Sequence, residues 1–180
     1  MFKILKILPL FLLFLSTFSL ASELKPSQIE TLTLVKQVAS KFKNKKGESF
    51  EKTAMAICLT ETSAGVFKVG DIGKDPNIFK ASLGLMQVRL ETARFIAEKF
   101  KLNEVKAMSD VKLVNKLLSD DKFNVEMAVR FIIWLNETTD YSYFRTVSRY
   151  NGGENNKTYY QKVINSMQLI TTQTDLMKDL

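Results

Sequence analysis

The stretch NVEMAVRFIIWL, residues 124–135, constrains this chain more than any other. It is the most apolar segment beyond the N-terminal leader, and a helix apolar on most sides has to be buried on most sides. It reads as a central helix that the other elements wrap. No disulfide can help them do so, because Cys58 is the one cysteine in 180 residues. Cys58 lies in the apolar run AMAICL and reads as a small buried hydrophobe. The chain also has no histidine. That removes histidine-based triads, a histidine general base and histidine metal ligation, and one cysteine builds no thiolate zinc site. No metal and no cofactor is expected.

The N-terminus, MFKILKILPLFLLFLSTFSLAS, carries Lys3 and Lys6, then an apolar stretch, then Ser19-Leu20-Ala21. This is the pattern of a secretory signal peptide spanning residues 1–21, with cleavage after Ala21. The protein is expected in the periplasm. The competing reading is an uncleaved anchor, since about 17–25 apolar residues can span a bilayer, and it gives the only membrane association expected. The remaining chain is one domain's worth. Lys plus Arg outnumber Asp plus Glu, 26 to 19. That mild basic bias suits an anionic polymer without choosing one. No dense Lys/Arg patch is interleaved with stacking aromatics, so nucleic acid is not expected as a partner.

Along the rest of the chain, periodicity predicts helices over residues 29–42, 50–61, 85–100, 111–118, 124–135, 141–149 and 158–168. Ser109 or Asp110 caps the fourth. Residues 66–83, punctuated by Gly70, Gly73 and Pro76, read as an irregular excursion that holds whatever β structure exists. The expected organisation is a helical segment at 22–47 packed on a domain at 48–168, with a fraying tail at 169–180. Composition and periodicity give a mostly helical domain and no function.

Four pieces carry the chemistry: LTETSAG (59–65), SLGLMQV (82–88), the helix of residues 124–135, and RYNGG (149–153). In this order they resemble the soluble lytic transglycosylase family of the lysozyme-like superfamily. Ser82, Gly84, Leu85, Met86 and Gln87 match its Ser-x-Gly-Leu-Met-Gln segment, and Tyr150, Asn151 and Gly153 match its Tyr-Asn-x-Gly turn. The resemblance covers roughly residues 48–168. Four positions depart from the pattern: Thr62 stands where a serine follows the catalytic glutamate, Phe131-Ile132 replace tyrosine and leucine, and Leu90 replaces a helix-starting proline.

The resemblance implies a mainly α, lysozyme-like α+β fold with a small β excursion between the catalytic helix and the Met-Gln helix. It implies peptidoglycan as substrate and Glu61 as the catalytic acid, its pKa raised by the apolar run before it. It assigns substrate-binding roles to Thr62, Ser82, Gly84, Met86, Gln87, Tyr150 and Asn151. Within that set, Tyr150 is expected near Glu61, Met86 on an apolar cleft wall, Gly84 where backbone approaches substrate, and Ser82 supporting the loop. Asp71, Asp75 and Glu154 read as solvated turn residues, and Trp134 as core.

The implied reaction cleaves the β-1,4 bond between N-acetylmuramic acid and N-acetylglucosamine and leaves a 1,6-anhydromuramoyl end. A muramidase using water on the same bond, and an inactive wall-binding or secretion-system scaffold, are the alternatives. General wall turnover and local opening of the wall for a secretion, pilus or flagellar assembly both fit a domain of this size.

Overall fold

A computed structural model of the chain describes residues 23–71 and 77–178. The expected leader and Asp75 lie outside the described residues.

The first helix, α1 (Pro26–Ala39), starts at a proline, whose fixed φ and missing N–H suit a first helical position. It begins and ends three residues ahead of the expected span. A polar turn stitched by Asn44 leads into α2 (Glu51–Thr62), the helix that carries Glu61. Phe50, Ala54, Ile57 and Cys58 are buried. The burial goes further, since Thr53, Met55, Ala56 and Thr62 are buried as well. α2 is enclosed on most of its circumference, with α1 on one side and α8 (Lys157–Gln173) on another.

Strands β1 (Val69–Gly70), β2 (Ser82–Leu83) and β3 (Val88–Arg89) form an antiparallel sheet in that order. Here the expectation of a helix from residue 85 is corrected. Residues 82–89 are a β-hairpin, with Ser82 opposite Arg89 and Leu83 opposite Val88. Its four-residue tip is Gly84-Leu85-Met86-Gln87, where Gly84 and Gln87 adopt φ of 71° and 50°. Two left-handed residues reverse the chain in a way a helix cannot. The helix, α3 (Leu90–Lys99), begins only at Leu90.

A short α4 (Asn103–Lys106), not anticipated, precedes α5 (Asp110–Ser119), whose cap is Ser109: its hydroxyl accepts from the Lys112 N–H. Asp120 then caps α6 (Asp121–Thr138) by accepting from the Phe123 N–H. α6 is the expected central helix, packed against α1, α2, α3, α5 and α7 (Tyr143–Tyr150). Val125, Met127, Ala128, Val129, Ile132 and Ile133 lie in the core, each larger one contributing about 2 kcal/mol by burial. Trp134 is half-buried and packs edge-on against Phe95. The last helix is longer than its expected span and runs to Gln173. Beyond it Met177 is buried, so that part of the tail packs on the core and does not fray.

The architecture is the mainly helical, lysozyme-like α+β arrangement with a small three-stranded excursion. Among the described residues no helix is long and apolar enough to cross a membrane.

Candidate active site

Glu61 sits in the last turn of α2, next to two left-handed residues, Ser63 and Ala64, that turn the chain away. α1 pins that exit, as the Gln28 side-chain amide donates to the Ser63 carbonyl. The Glu61 carboxyl is half-buried, and its one protein partner among the described residues is Tyr159, whose hydroxyl donates to Oε1 at 2.5 Å. Burial holds the Glu61 pKa above its ordinary value, because a charged carboxylate loses hydration there. The Tyr159 bond favours the carboxylate and pulls the other way, nearby Asp71 pushes up and Lys162 pulls down. Burial prevails. Tyr159 in turn is shielded from ionising by its own burial and by the facing carboxyl.

Tyr150 borders the same cleft as Glu61, as expected, but its hydroxyl is engaged elsewhere. Its hydroxyl donates to the Met86 carbonyl at 2.8 Å. The same hairpin tip is held from two further directions. Thr62 Oγ1 lies 2.9 Å from the Leu85 carbonyl and 3.0 Å from that of Cys58, and accepts from the Gly65 N–H. Asn124, fully buried on α6, accepts from the Met86 N–H at 2.8 Å and donates to the Leu83 and Leu117 carbonyls. Backbone polar groups buried without partners cost about 1–3 kcal/mol each, so α2, α6 and α7 each fix the tip by satisfying them.

A cleft of about 480 Å³ opens in front of Glu61. One wall is the sheet, with Ser82, Gln87 and Arg89. The other is the C-terminal end of α7, with Arg149, Tyr150 and Asn151, and Phe131 of the central helix reaches in between. The Phe131 ring lies 5.7 Å from that of Tyr150. Gln87 Nε2 donates to the Gly84 carbonyl, while its Oε1 lies over Gly70, where a Cβ would come within 2.1 Å. Only glycine at position 70 leaves the Gln87 amide in place.

The motif residues therefore separate into two groups. Glu61, Ser82, Gln87, Tyr150 and Asn151 line the cleft. Thr62, Gly84 and Met86 do not. Met86 is fully buried and belongs to the core, not to a cleft wall. Gly84 allows close approach to protein, not substrate, since a Cβ there would lie 2.3 Å from Asn124 Nδ2 and 2.4 Å from the Leu117 carbonyl. Thr62, also fully buried, braces the hairpin tip.

One cleft residue does more than expected, and one buried residue beside Glu61 was missed. Asp71 is exposed, as expected of a solvated turn residue, but it is also bonded: its Oδ2 accepts from the Ser82 hydroxyl at 2.6 Å and from Arg89 at 2.9 Å. These bonds hold its carboxyl below the usual range. Tyr159 was not singled out at all. A tyrosine at the start of a helix carries no local sign of a partner 98 residues away. Its backbone N–H is capped by Asn156 Oδ1, and Asn156 also donates to the Asn151 side chain, so the turn after α7 sets where Tyr159 enters. Glu154 is an exposed turn residue, as expected, and pairs with Arg149.

A second hollow of about 550 Å³ lies between the end of α1 and α4, lined by Lys41, Phe42, Val105 and Lys122 among others. Its Asp120 and Glu126 are paired with Lys116 and Arg130, and none of the motif residues reaches it. Among the described residues no group of His, Cys, Asp or Glu side chains is gathered to hold a metal ion. The buried Cys58 thiol, its pKa pushed up to about 12 mainly by burial, is a core atom and no nucleophile.

Comparison with curated proteins and with solved structures gives no match. The family profile described as "Transglycosylase SLT domain" matches residues 38–168. That span takes in α2 with Glu61, the hairpin, the central helix and the start of α8 with Tyr159. The chain belongs to the transglycosylase SLT domain family, the lytic-transglycosylase type of enzyme acting on peptidoglycan.

Proposed function

We propose that this protein is a lytic transglycosylase that cleaves the β-1,4 bond between N-acetylmuramic acid and N-acetylglucosamine in peptidoglycan and leaves a 1,6-anhydromuramoyl end. The reading rests above all on one observation. Glu61 is the cleft carboxyl that burial holds toward its acid form, and Tyr159 fixes its orientation.

A raised pKa lets a carboxyl keep its proton near working pH and still release it. Glu61 in acid form protonates the glycosidic oxygen as the C1–O bond breaks. The muramoyl acetamido group supplies electrons to the cationic C1. The resulting Glu61 carboxylate then removes the proton from the C6 hydroxyl, and that oxygen closes on C1. Glu61 ends protonated again, as it began, and no water is consumed. In support, a second acid bordering the cleft, Asp71, is held toward its ionised form by Ser82 and Arg89 and is ill suited to give a proton. Gln87 and Asn151 present side-chain amides to the same space, suited to acetamido and hydroxyl groups of the sugar. The protein acts in the periplasm, delivered by the leader at residues 1–21, on wall strands at large or beside an envelope assembly that needs a local gap.

The test is digestion of purified peptidoglycan, with muropeptides read by mass spectrometry and Glu61→Gln alongside. Anhydro-ended products whose yield falls about a thousandfold in the variant are the expected result. Reducing-ended products would make the enzyme a muramidase. Intact binding with no products from either protein would point to a wall-binding scaffold.

A further inference from the structure

Asp71 stands at the end of β1 in a left-handed conformation, φ 56°, that aspartate adopts uncommonly. Its Oδ2 takes both the Ser82 and the Arg89 bonds, and the carboxylate borders the same cleft as Glu61. The clamp does more than brace the sheet. A hydroxyl donor and a guanidinium on one oxygen guarantee a full negative charge at ordinary pH. Two carboxyl groups bordering one cleft cannot both ionise without cost, so the charge on the better-partnered one favours the acid form of the other.

We propose that Asp71 is a positioning residue of this site: a carboxylate clamped at the cleft by Ser82 and Arg89, whose negative charge adds to burial in favouring the acid form of Glu61 that proton donation requires. The inference rests on the reading of Glu61 as the acid. The other charged or ionisable groups around Glu61 come from four elements. Tyr159 and Lys162 come from α8, Tyr150 and Arg149 from α7, Arg89 from β3 and Glu91 from α3. Lys162 favours the carboxylate, and so does Tyr159 through its bond. Tyr150 is kept neutral by burial. Arg149 is paired with Glu154, and Arg89 with Asp71. Glu91 is exposed, near Arg89. Asp71 is the bordering anion with a fixed place.

Two substitutions then act in opposite directions. Asp71→Asn keeps the side chain's shape and an acceptor for Ser82 but removes the charge, so Glu61 should release its proton at lower pH. Arg89→Gln keeps Asp71 but removes the cation that offsets it, so Glu61 should release its proton at higher pH. Each shift is expected to be about half a pH unit. A merely structural role for the clamp predicts loss of activity in both variants with no opposed shifts.

Titration of side-chain carboxyl ¹³C signals in glutamate-labelled protein reads this directly, with the Glu61 signal identified by its absence in Glu61→Gln. The pH–rate profile of muropeptide release is measured on the same proteins. Opposed shifts, carried into the high-pH limb of the profile, support the inference. An unmoved Glu61 titration in Asp71→Asn, or shifts of the same sign in both variants, overturns it. Opposed shifts in a protein that releases no muropeptides would uphold the Asp71 relationship and overturn the proposed activity, so the two failures are distinguishable.

Discussion

Tyr159 on the last helix donates its hydroxyl to Glu61 on the second, joining positions 98 residues apart. Tyr150, the tyrosine that the Tyr-Asn-x-Gly turn made conspicuous, donates instead to the hairpin tip at Met86. The two hydroxyls do different work, and substitution separates them. In Tyr159→Phe, Glu61 loses the bond that favours its charged form while burial remains. Its pKa should rise, the high-pH limb of the rate profile should move up, and the maximal rate should drop about tenfold as the acid loses its tether. In Tyr150→Phe the limb should stay where it is, and stability should fall by about 1 kcal/mol. Profiles and denaturant melts of both variants check this.

Glu61 should also be a stability liability. Its folded-state pKa is raised above 4.5, so its stabilising share is fully present below that pH and is lost as pH rises through the folded value. Glutamine carries no charge at any pH. Glu61→Gln is expected to be more stable than the parent at pH 7 by about 1 kcal/mol, or about 3 °C in Tm. The gap should close below pH 4.5. Calorimetry at both pH values decides it, and a gap independent of pH would contradict the desolvation account.

Thr62 offers a cleaner test of bracing. Thr62→Val keeps the shape and removes the hydroxyl that meets the Leu85 carbonyl and the Gly65 N–H. Stability should fall by about 2 kcal/mol, with activity falling as the tip loosens. Thr62→Ser retains the hydroxyl and should stay within about 1 kcal/mol of the parent. Urea unfolding of the pair, with muropeptide release alongside, gives both readings.

Gly84 and Asn124 should be intolerant for one shared reason. At φ 71° a Cβ on residue 84 strains the backbone and strikes the Asn124 amide. Gly84→Ala should cost about 3 kcal/mol. Asn124→Leu should cost about as much, because it strands the Met86 N–H and two carbonyls in the core. The two losses should be strongly non-additive in the double variant, as unfolding of all three proteins would reveal.

Helices α2, α5, α6 and α7 were legible in the sequence because their evidence is local. Apolar spacing marks the buried face, and Ser109 stands before the pattern where its hydroxyl caps the chain. The hairpin at 82–89 was not legible as a hairpin. Leu85, Met86 and Val88 are buried, as a helix face would be, and what bends them is the pair of left-handed residues at 84 and 87, only one a glycine. For the site, the motifs led to Glu61 and to the cleft residues Ser82, Gln87, Tyr150 and Asn151. Tyr159 and the Asp71 clamp escaped because each depends on which distant element folds against it. The same applies to Thr62, Gly84 and Met86: a motif records which positions matter together, and here these three hold the loop that others use.

The placement of Tyr159 on α8 makes the surroundings of Glu61 depend on a segment synthesised long after it. A chain growing from its N-terminus makes Glu61 early and its tether late, after the hairpin and the central helix. Until Lys157–Gln173 emerges, α2 also lacks the helix that covers one of its sides. A ribosomal product stopped short of that point, or one clipped by a protease, holds the acid with neither its orientation nor its enclosure. A segment made late thus completes the surroundings of a carboxyl made early.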